Sequence, residues 1–358
     1  MLPVHKQQML SVSHTCYGIQ QQQPLYAITI ANASVKVTLI NLGATLTGIY
    51  TPDKNGNKVN IVAGYDNLNL YSHNEYYLGC VVGRYANRIA AGRFVLDGQP
   101  VQLSVNNNGN HLHGGIQGLH TRVWHIDSFI ENDEQAGVVL KCISADGEEG
   151  YPGQLRVQVQ YLLDNNNRLS IHYFAAADAR TPVNLTNHSY FNLTGFRNPL
   201  VTGHHLQVNA AGYTEKNEQN IPTGAILPVA GTALDFTIAH AIGDTIQQLP
   251  ADKGYDHNYV LKLSASDSII TAAVLSEPET GRVLRVYTNQ PGIQVYTANW
   301  WAGRPKEEGG NPFLPHGAVA LETQAFPDSP NHAHFPCTIV NPGEPYRSAT
   351  HFEFDVQP

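Results

Sequence analysis

The sequence predicts an all-β protein, a sandwich or barrel of many short strands. Three observations carry this expectation: apolar residues recur with period two, turn dipeptides separate the runs, and no long segment shows helical apolar spacing. In chain order the strand-like runs are 26–31, 35–41, 101–105, 138–143, 155–161, 169–173, 269–275, 283–288, 293–297, 318–322 and 351–356. The clearest is the fifth. There Leu155, Val157, Val159 and Tyr161 share one face, and Arg156, Gln158 and Gln160 take the other. Leu169, Ile171 and Tyr173 repeat the pattern, and Asp164-Asn165-Asn166-Asn167 between them reads as a hairpin turn. Asn55-Gly56, Asp97-Gly98, Asn108-Gly109 and Asp146-Gly147 mark further turns, because Asn, Asp and Gly accept left-handed backbone. The best helical candidate, 238–249, is weakened by Gly243. No composition break marks a second domain and no fixed-period repeat occurs. The expected organisation is one domain over 24–358, preceded by a loose arm over 1–23 whose glutamine run at 20–23 is a polar spacer.

Composition narrows the partners. Charged residues make up only 14% of the 358, against roughly 25% in an average domain. The polar work falls to 30 Asn and 17 His, beside 31 Gly. A net charge of −8 without a basic block argues against nucleic acid and anionic membrane surfaces. No apolar run reaches the length of about 18 residues that a membrane helix needs. No continuous apolar stretch near the N-terminus suggests a secretory signal. The length supports a core without a disulfide or metal staple. The four cysteines are far apart and form no CxxC motif, so no zinc or redox site is expected. A reducing, cytoplasmic setting is the simplest reading, with disulfide pairing left open.

Five segments break the alternation and concentrate hydrogen-bonding side chains: 83–89, 110–115, 184–192, 254–258 and 321–332. Each alone has an ordinary explanation. His-Gly-Gly at 113–115 suits a tight turn, and the asparagines of 184–192 suit a loop capping its own backbone. Tyr-Asp-His-Asn at 255–258 suits a turn, Glu322 a strand-end charge, and Arg84 and Arg88 surface cations. Together, in a chain poor in charge, they suit a polar but neutral ligand. Free sugars have that character, and recognising them takes amides, imidazoles, carboxylates, an Arg and aromatic faces. Trp300-Trp301 supplies aromatics, although at least one ring suits the core. A carboxylate beside imidazoles also permits proton exchange: a Glu near its ordinary pKa accepts, and a His held protonated by a carboxylate donates.

The ordered motifs carry a more specific message. They are GRYANRIA at 83–90, LHGG at 112–115, DGEEGYPG at 146–153, NLTNHSYFNLTG at 184–195 and GYDHNYVL at 254–261. VYTNQPGIQVYTAN at 286–299, LETQAFPDSPNH at 321–332 and NPGEPYRS at 341–348 follow. In this set the sequence resembles the aldose 1-epimerases, the galactose mutarotase family, over roughly residues 26–354. The resemblance implies a large antiparallel β-sandwich with few short helices, and interconversion of the α and β anomers of free aldohexoses such as galactose and glucose. It implies Glu322 as general base at the C1 hydroxyl, His188 as general acid at the ring oxygen, and His113 as an auxiliary imidazole. Asp256 is implied to bind hydroxyls remote from C1. Asn87 with Arg88 flanks the sugar, Gln290 makes a further contact, and Tyr190 and Asn192 line the pocket. With alternation, His188, Tyr190 and Asn192 would point one way and Phe191 into the core. Arg84 is then structural. No cofactor or metal is implied; the partner is a small sugar, and the chain would be a monomer or homodimer.

Three other readings compete. A hexose-6-phosphate 1-epimerase would call for clustered Lys and Arg at the phosphate, against 21 in the whole chain. A non-catalytic sugar-binding module on the same fold would not require both Glu322 and His188. A glycosidase would need paired carboxylates such as Glu322 and Asp256.

Overall fold

The computed structural model describes residues 10–263, 268–303 and 313–358. Strands dominate it, every named strand pair is antiparallel, and its helical pieces among the described residues are short 3₁₀ turns. The helical candidate at 238–249 resolves into two such turns, Ile242–Asp244 and Ile246–Gln248. The 155–173 hairpin forms as its alternation predicts. Strands Leu155–Asp164 and Arg168–Ala177 pair with Tyr161 opposite Ile171, and the apolar face is buried.

Three larger sheets of nine, six and five strands share one core. The nine-stranded sheet runs from His125–Glu131 at one edge to His240–Ala241 at the other, with Tyr346–Val356 near its middle. The six-stranded sheet has the order Tyr190–Phe191, Val319–Gln324, Gly292–Tyr296, Asp256–Leu261, Ala210–Lys216, Pro222–Pro228. The two pack face to face. Val319, Leu321, Ile293 and Val295 join Val159, Ile171, Leu284 and Phe352 in one apolar cluster, and Phe191 meets Phe352 edge to face at 5.2 Å. Phe191 is therefore in the core, as alternation requires.

The arm expected over 1–23 is corrected from Ser11 onward; residues 1–9 lie outside the described ones. Ser11–Gln20 is a strand paired with Gln23–Ala31, and Gln21 and Gln22 form the two-residue turn at φ 50° and 64°. Its side chains are mostly exposed or half-exposed, so no apolar alternation betrays it. Backbone hydrogen bonds, which composition does not report, hold it in place. The run 101–105 is shorter than expected, with the strand ending at Gln102. All four cysteines are unpaired. Trp301 is buried, whereas Trp300 is about half exposed and packs under Lys253. Among the described residues no helix is long and apolar enough to cross a membrane.

Candidate active site

The six-stranded sheet turns its second face away from the core, and that face is polar. On Val319–Gln324, Val319 and Leu321 point into the core and Thr323 hydrogen-bonds Thr350 of the opposite sheet. Period-two alternation then puts Ala320, Glu322 and Gln324 on the other side. Glu322 sits directly opposite Gln294, and Gln294 opposite Asn258, whose Nδ2 donates to Thr214 Oγ1 at 3.3 Å. Four adjacent strands thus present the row Glu322, Gln294, Asn258, Thr214. Two residues along each strand, Asp256 pairs with Tyr296, Tyr296 with Ala320, and Ala320 with Tyr190. Gln294 Nε2 donates to Asp256 Oδ1 at 2.6 Å and ties the two rows together.

Loops from the other motifs close over this face. His188 is held by its own backbone: its N–H donates to Cys80 O and its carbonyl accepts from Gly79 N–H, both at 2.9 Å. Gly79 has φ 64°, and a Cβ there would meet Leu46 O at 1.9 Å, so only glycine fits. His188 Nε2 comes to 3.6 Å from Glu322 Oε2, and both side chains are almost fully buried, at 5% and 2% exposure. The LHGG turn delivers His113. A Cβ on Gly114 would lie 1.8 Å from Gly83 O, so the glycine lets this turn press against the 83–88 loop. There His113 N–H donates to Asn87 O at 3.0 Å, and Asn87 N–H donates to His113 Nδ1 at 3.1 Å. An imidazole nitrogen that accepts carries no proton, so His113 is the neutral tautomer with its proton on Nε2. Its ring lies 5.2 Å from that of His188.

Burial sets the protonation states, and they differ from the sequence expectation. The Glu322 carboxyl is pushed up to about 8, by burial first and then by the Asp256 charge, with Arg88 opposing. Burial pushes His188 down to about 4 and His113 well below its ordinary value, the latter helped by His188 and Arg88. Burial thus favours the neutral form of both groups, where a carboxylate beside a protonated His was expected. Asp256 behaves differently. Burial pushes it up, but Lys216, Arg88, His257 and the Gln294 hydrogen bond outweigh that and hold it below the usual carboxylate range.

Of the residues singled out in the sequence, Glu322, His188, His113 and Tyr190 cluster at one end of the site. The Tyr190 ring is 4.8 Å from that of His188. Asn87, Arg88 and Asp256 line a small cleft with Gln294, Thr214 and Lys216, next to that cluster through the Gln294–Glu322 strand pair and the Asn87–His113 bond. Arg88 Nε donates to Asn107 Oδ1 at 3.3 Å. Arg84 is buried and donates to Ser144 Oγ and to four backbone carbonyls, the structural part expected of it.

Two expectations are corrected. Asn192 does not face the pocket. Its Nδ2 donates to Asn198 O and Gly317 O, and its Oδ1 accepts from Thr194. The chain turns at 192–195 rather than staying extended, so alternation stops at Phe191. Gln290 lies in a different cavity, among Val183, Thr338, Pro345 and Tyr346. The glutamine of that motif that reaches Asp256 is Gln294. Its place opposite Glu322 depends on the register of Gly292–Tyr296 against Val319–Gln324, which the sequence pattern leaves open by one residue. Asn184 and Asn187 also bond backbone carbonyls, so much of the Asn-rich loop does cap backbone. Tyr77 was missed altogether. Its ring packs 4.7 Å from His113 and 4.8 Å from His120, from a segment with no distinguishing pattern.

His113, His188 and Glu322 also offer three ligand atoms within 4.8 Å of one another. The chemistry of the site suits a ligand with several hydroxyls. Glu322 Oε2, Gln294 Oε1, Asn258 Oδ1 and His188 Nδ1 are buried without a hydrogen-bond partner among the described residues.

The aldose 1-epimerase family profile matches residues 26–353. Galactose mutarotase of Bos taurus is 40% identical over 353 residues, spanning 97% of this chain and all of the relative. Aldose 1-epimerase of Escherichia coli K12 is 39% identical over 342 residues, 93% of this chain and 96% of the relative. The crystal structure of galactose 1-epimerase from Lactobacillus acidophilus NCFM superposes with a TM-score of 0.85 at 28% identity, covering 98% of this chain and all of that one.

Proposed function

The chain belongs to the aldose 1-epimerase family, and we propose on that premise how its site performs the reaction. It is an enzyme that interconverts the α and β anomers of free aldoses. Galactose and glucose are the substrates proposed for it, the former named for its relatives. The observation that carries the site reading is the buried Glu322–His188 pair, 3.6 Å apart, joined through Gln294, the strand neighbour of Glu322, to Asp256.

In this reading C1 and the ring oxygen sit at the pair and the remote hydroxyls at Asp256, Arg88 and Gln294. Glu322 removes the proton of the C1 hydroxyl as His188 protonates the ring oxygen, and the C1–O5 bond breaks to give the open aldehyde. Rotation about C1–C2 exposes the other carbonyl face. On closure the roles reverse: His188 takes the proton back from the O5 hydroxyl as Glu322 gives its proton to the C1 oxygen, which restores both groups. The neutral His113 Nε2–H steadies the oxygen on which charge develops. The reaction needs one acceptor and one donor, which is one proton shared by the pair. The free site already holds one, on Glu322. Substrate that separates the two groups, beside the Arg88 charge, favours carboxylate with imidazolium.

That proton count fixes a pH window. Below about 4 both groups are protonated and the acceptor is lost; above about 8 neither is, and the donor is lost. Buffer-corrected polarimetry should give a bell-shaped kcat/KM with limbs belonging to the pair; a rate still rising at pH 9 would refute the assignment. Gln294→Leu should raise KM about tenfold, the loss of one hydrogen bond to a charged group, whereas Gln290→Leu should change it less than twofold. Steady-state polarimetry on both variants tests this.

The test of the activity is the optical rotation of freshly dissolved α-D-galactose and α-D-glucose, with glucose 6-phosphate as a separate arm. Acceleration on the free sugars is expected. Acceleration on the phosphate alone would transfer the reading to a hexose-6-phosphate epimerase. Four unpaired cysteines support a reducing, cytoplasmic setting.

A further inference from the structure

One cation at the cleft is unaccounted for by the chemistry above. Lys216 ends the strand Ala210–Lys216 and lines the cleft with Asp256, Arg88 and Gln294. Its side chain is only 12% exposed. A desolvated ammonium has three donors to satisfy, and each finds an oxygen from a different segment. Nζ donates to Asn220 Oδ1 at 2.6 Å, to Asp252 Oδ1 at 2.8 Å and to the Asp256 backbone carbonyl at 2.7 Å. Asn220 belongs to the turn that follows Lys216. Asp252 belongs to the loop before Tyr255, whose backbone is tied to the 252 carbonyl through Asn299 Nδ2. Asp256 opens the strand that carries the sugar-facing carboxylate.

We propose that Lys216 is a positioning residue for the sugar's remote end: it fixes the backbone from which Asp256 projects and supplies a positive charge beside it, with its own three donors engaged by protein oxygens. This rests on the reading of Asp256 as a sugar ligand. The geometry separates Lys216 from Arg88. Arg88 lies in the same cleft with its guanidinium engaged at Nε by Asn107, whereas all three Lys216 donors are engaged by protein oxygens. Lys216 therefore acts through Asp256. The same placement explains why Asp256 stays ionised despite burial, since Lys216 heads the influences that lower it.

The test compares Lys216→Met, Lys216→Arg, Asp252→Asn and Asp256→Asn by polarimetry on galactose. Lys216→Met should raise KM about tenfold with kcat changed less than twofold, because binding remote from C1 is lost equally in ground and transition states. Its acid limb in KM should move to higher pH, because the leading charge that lowers Asp256 is removed. Arg88, His257, Tyr296, Glu322 and His188, the other titratable groups within reach of Asp256, remain. Lys216→Arg should restore most of the affinity. Asp252→Asn keeps the ammonium and its bond to Asp256, so its KM should stay within twofold, and it serves if Lys216→Met does not fold. A fall in kcat at constant KM, an unshifted acid limb, or a tenfold KM change in Asp252→Asn would overturn the proposal. If Asp256→Asn leaves KM unchanged, the underlying reading of Asp256 fails instead.

Discussion

Glu322→Gln should lower kcat/KM for galactose on the order of a thousandfold, while the protein stays folded. The amide keeps the shape of the carboxyl but cannot take the C1 hydroxyl proton, and a positioned acid–base group typically contributes about 10²–10⁴ in rate. Stability should move the other way. In the native protein the Glu322 carboxyl holds its proton up to about 8, against an ordinary value of 4.5. The folded state therefore binds more protons than the unfolded state between these values, and this group makes the wild type less stable as pH rises through them. Gln has no proton to lose. From pH 6.5 to 8 the variant should melt higher than the wild type, by an amount that grows with pH. Differential scanning calorimetry across that range checks the sign. A variant that loses stability relative to the wild type would mean that Glu322 is held as a carboxylate.

His188→Asn should lower kcat by about 10²–10³ with a smaller change in KM, because it removes the donor to the ring oxygen and not the cleft. His113→Asn should cost less, about tenfold. His113 is a neutral donor whose Nδ1 is already spent on Asn87 N–H, so it supplies a hydrogen bond and not a transferred proton. Single-turnover ring opening in a range of aldoses separates the two. Equal losses at both positions would mean that the acid assigned to His188 is shared.

The cleft was more legible in the sequence than the order of its parts. The tight turn expected of His-Gly-Gly is there, with Gly114 pressed against Gly83 O and His113 delivered to Asn87. Glu322 followed from its motif. Asn192 and Gln290 did not, for one reason: a motif does not say where an extended segment turns. The bend at 192–195 takes Asn192 to the backbone of 198 and 317, and the turn before Gly292 leaves Gln290 behind while Gln294 enters the sheet. The strand Ser11–Gln20 was invisible because its faces are polar and its bonds are backbone bonds.

By itself the sequence determined the all-β class, the pairing of its clearest hairpin, and, through its motifs, the presence of two carboxylates, two imidazoles and an Arg among polar side chains. These depend on side-chain period and residue type, which are local. Only the tertiary structure decided which glutamine faces Glu322, that Lys216 is bonded to the Asp256 backbone, and that burial favours the neutral forms of Glu322 and His188. Those follow from strand register and from burial. Both arise when distant segments pack and exclude water from the groups between them.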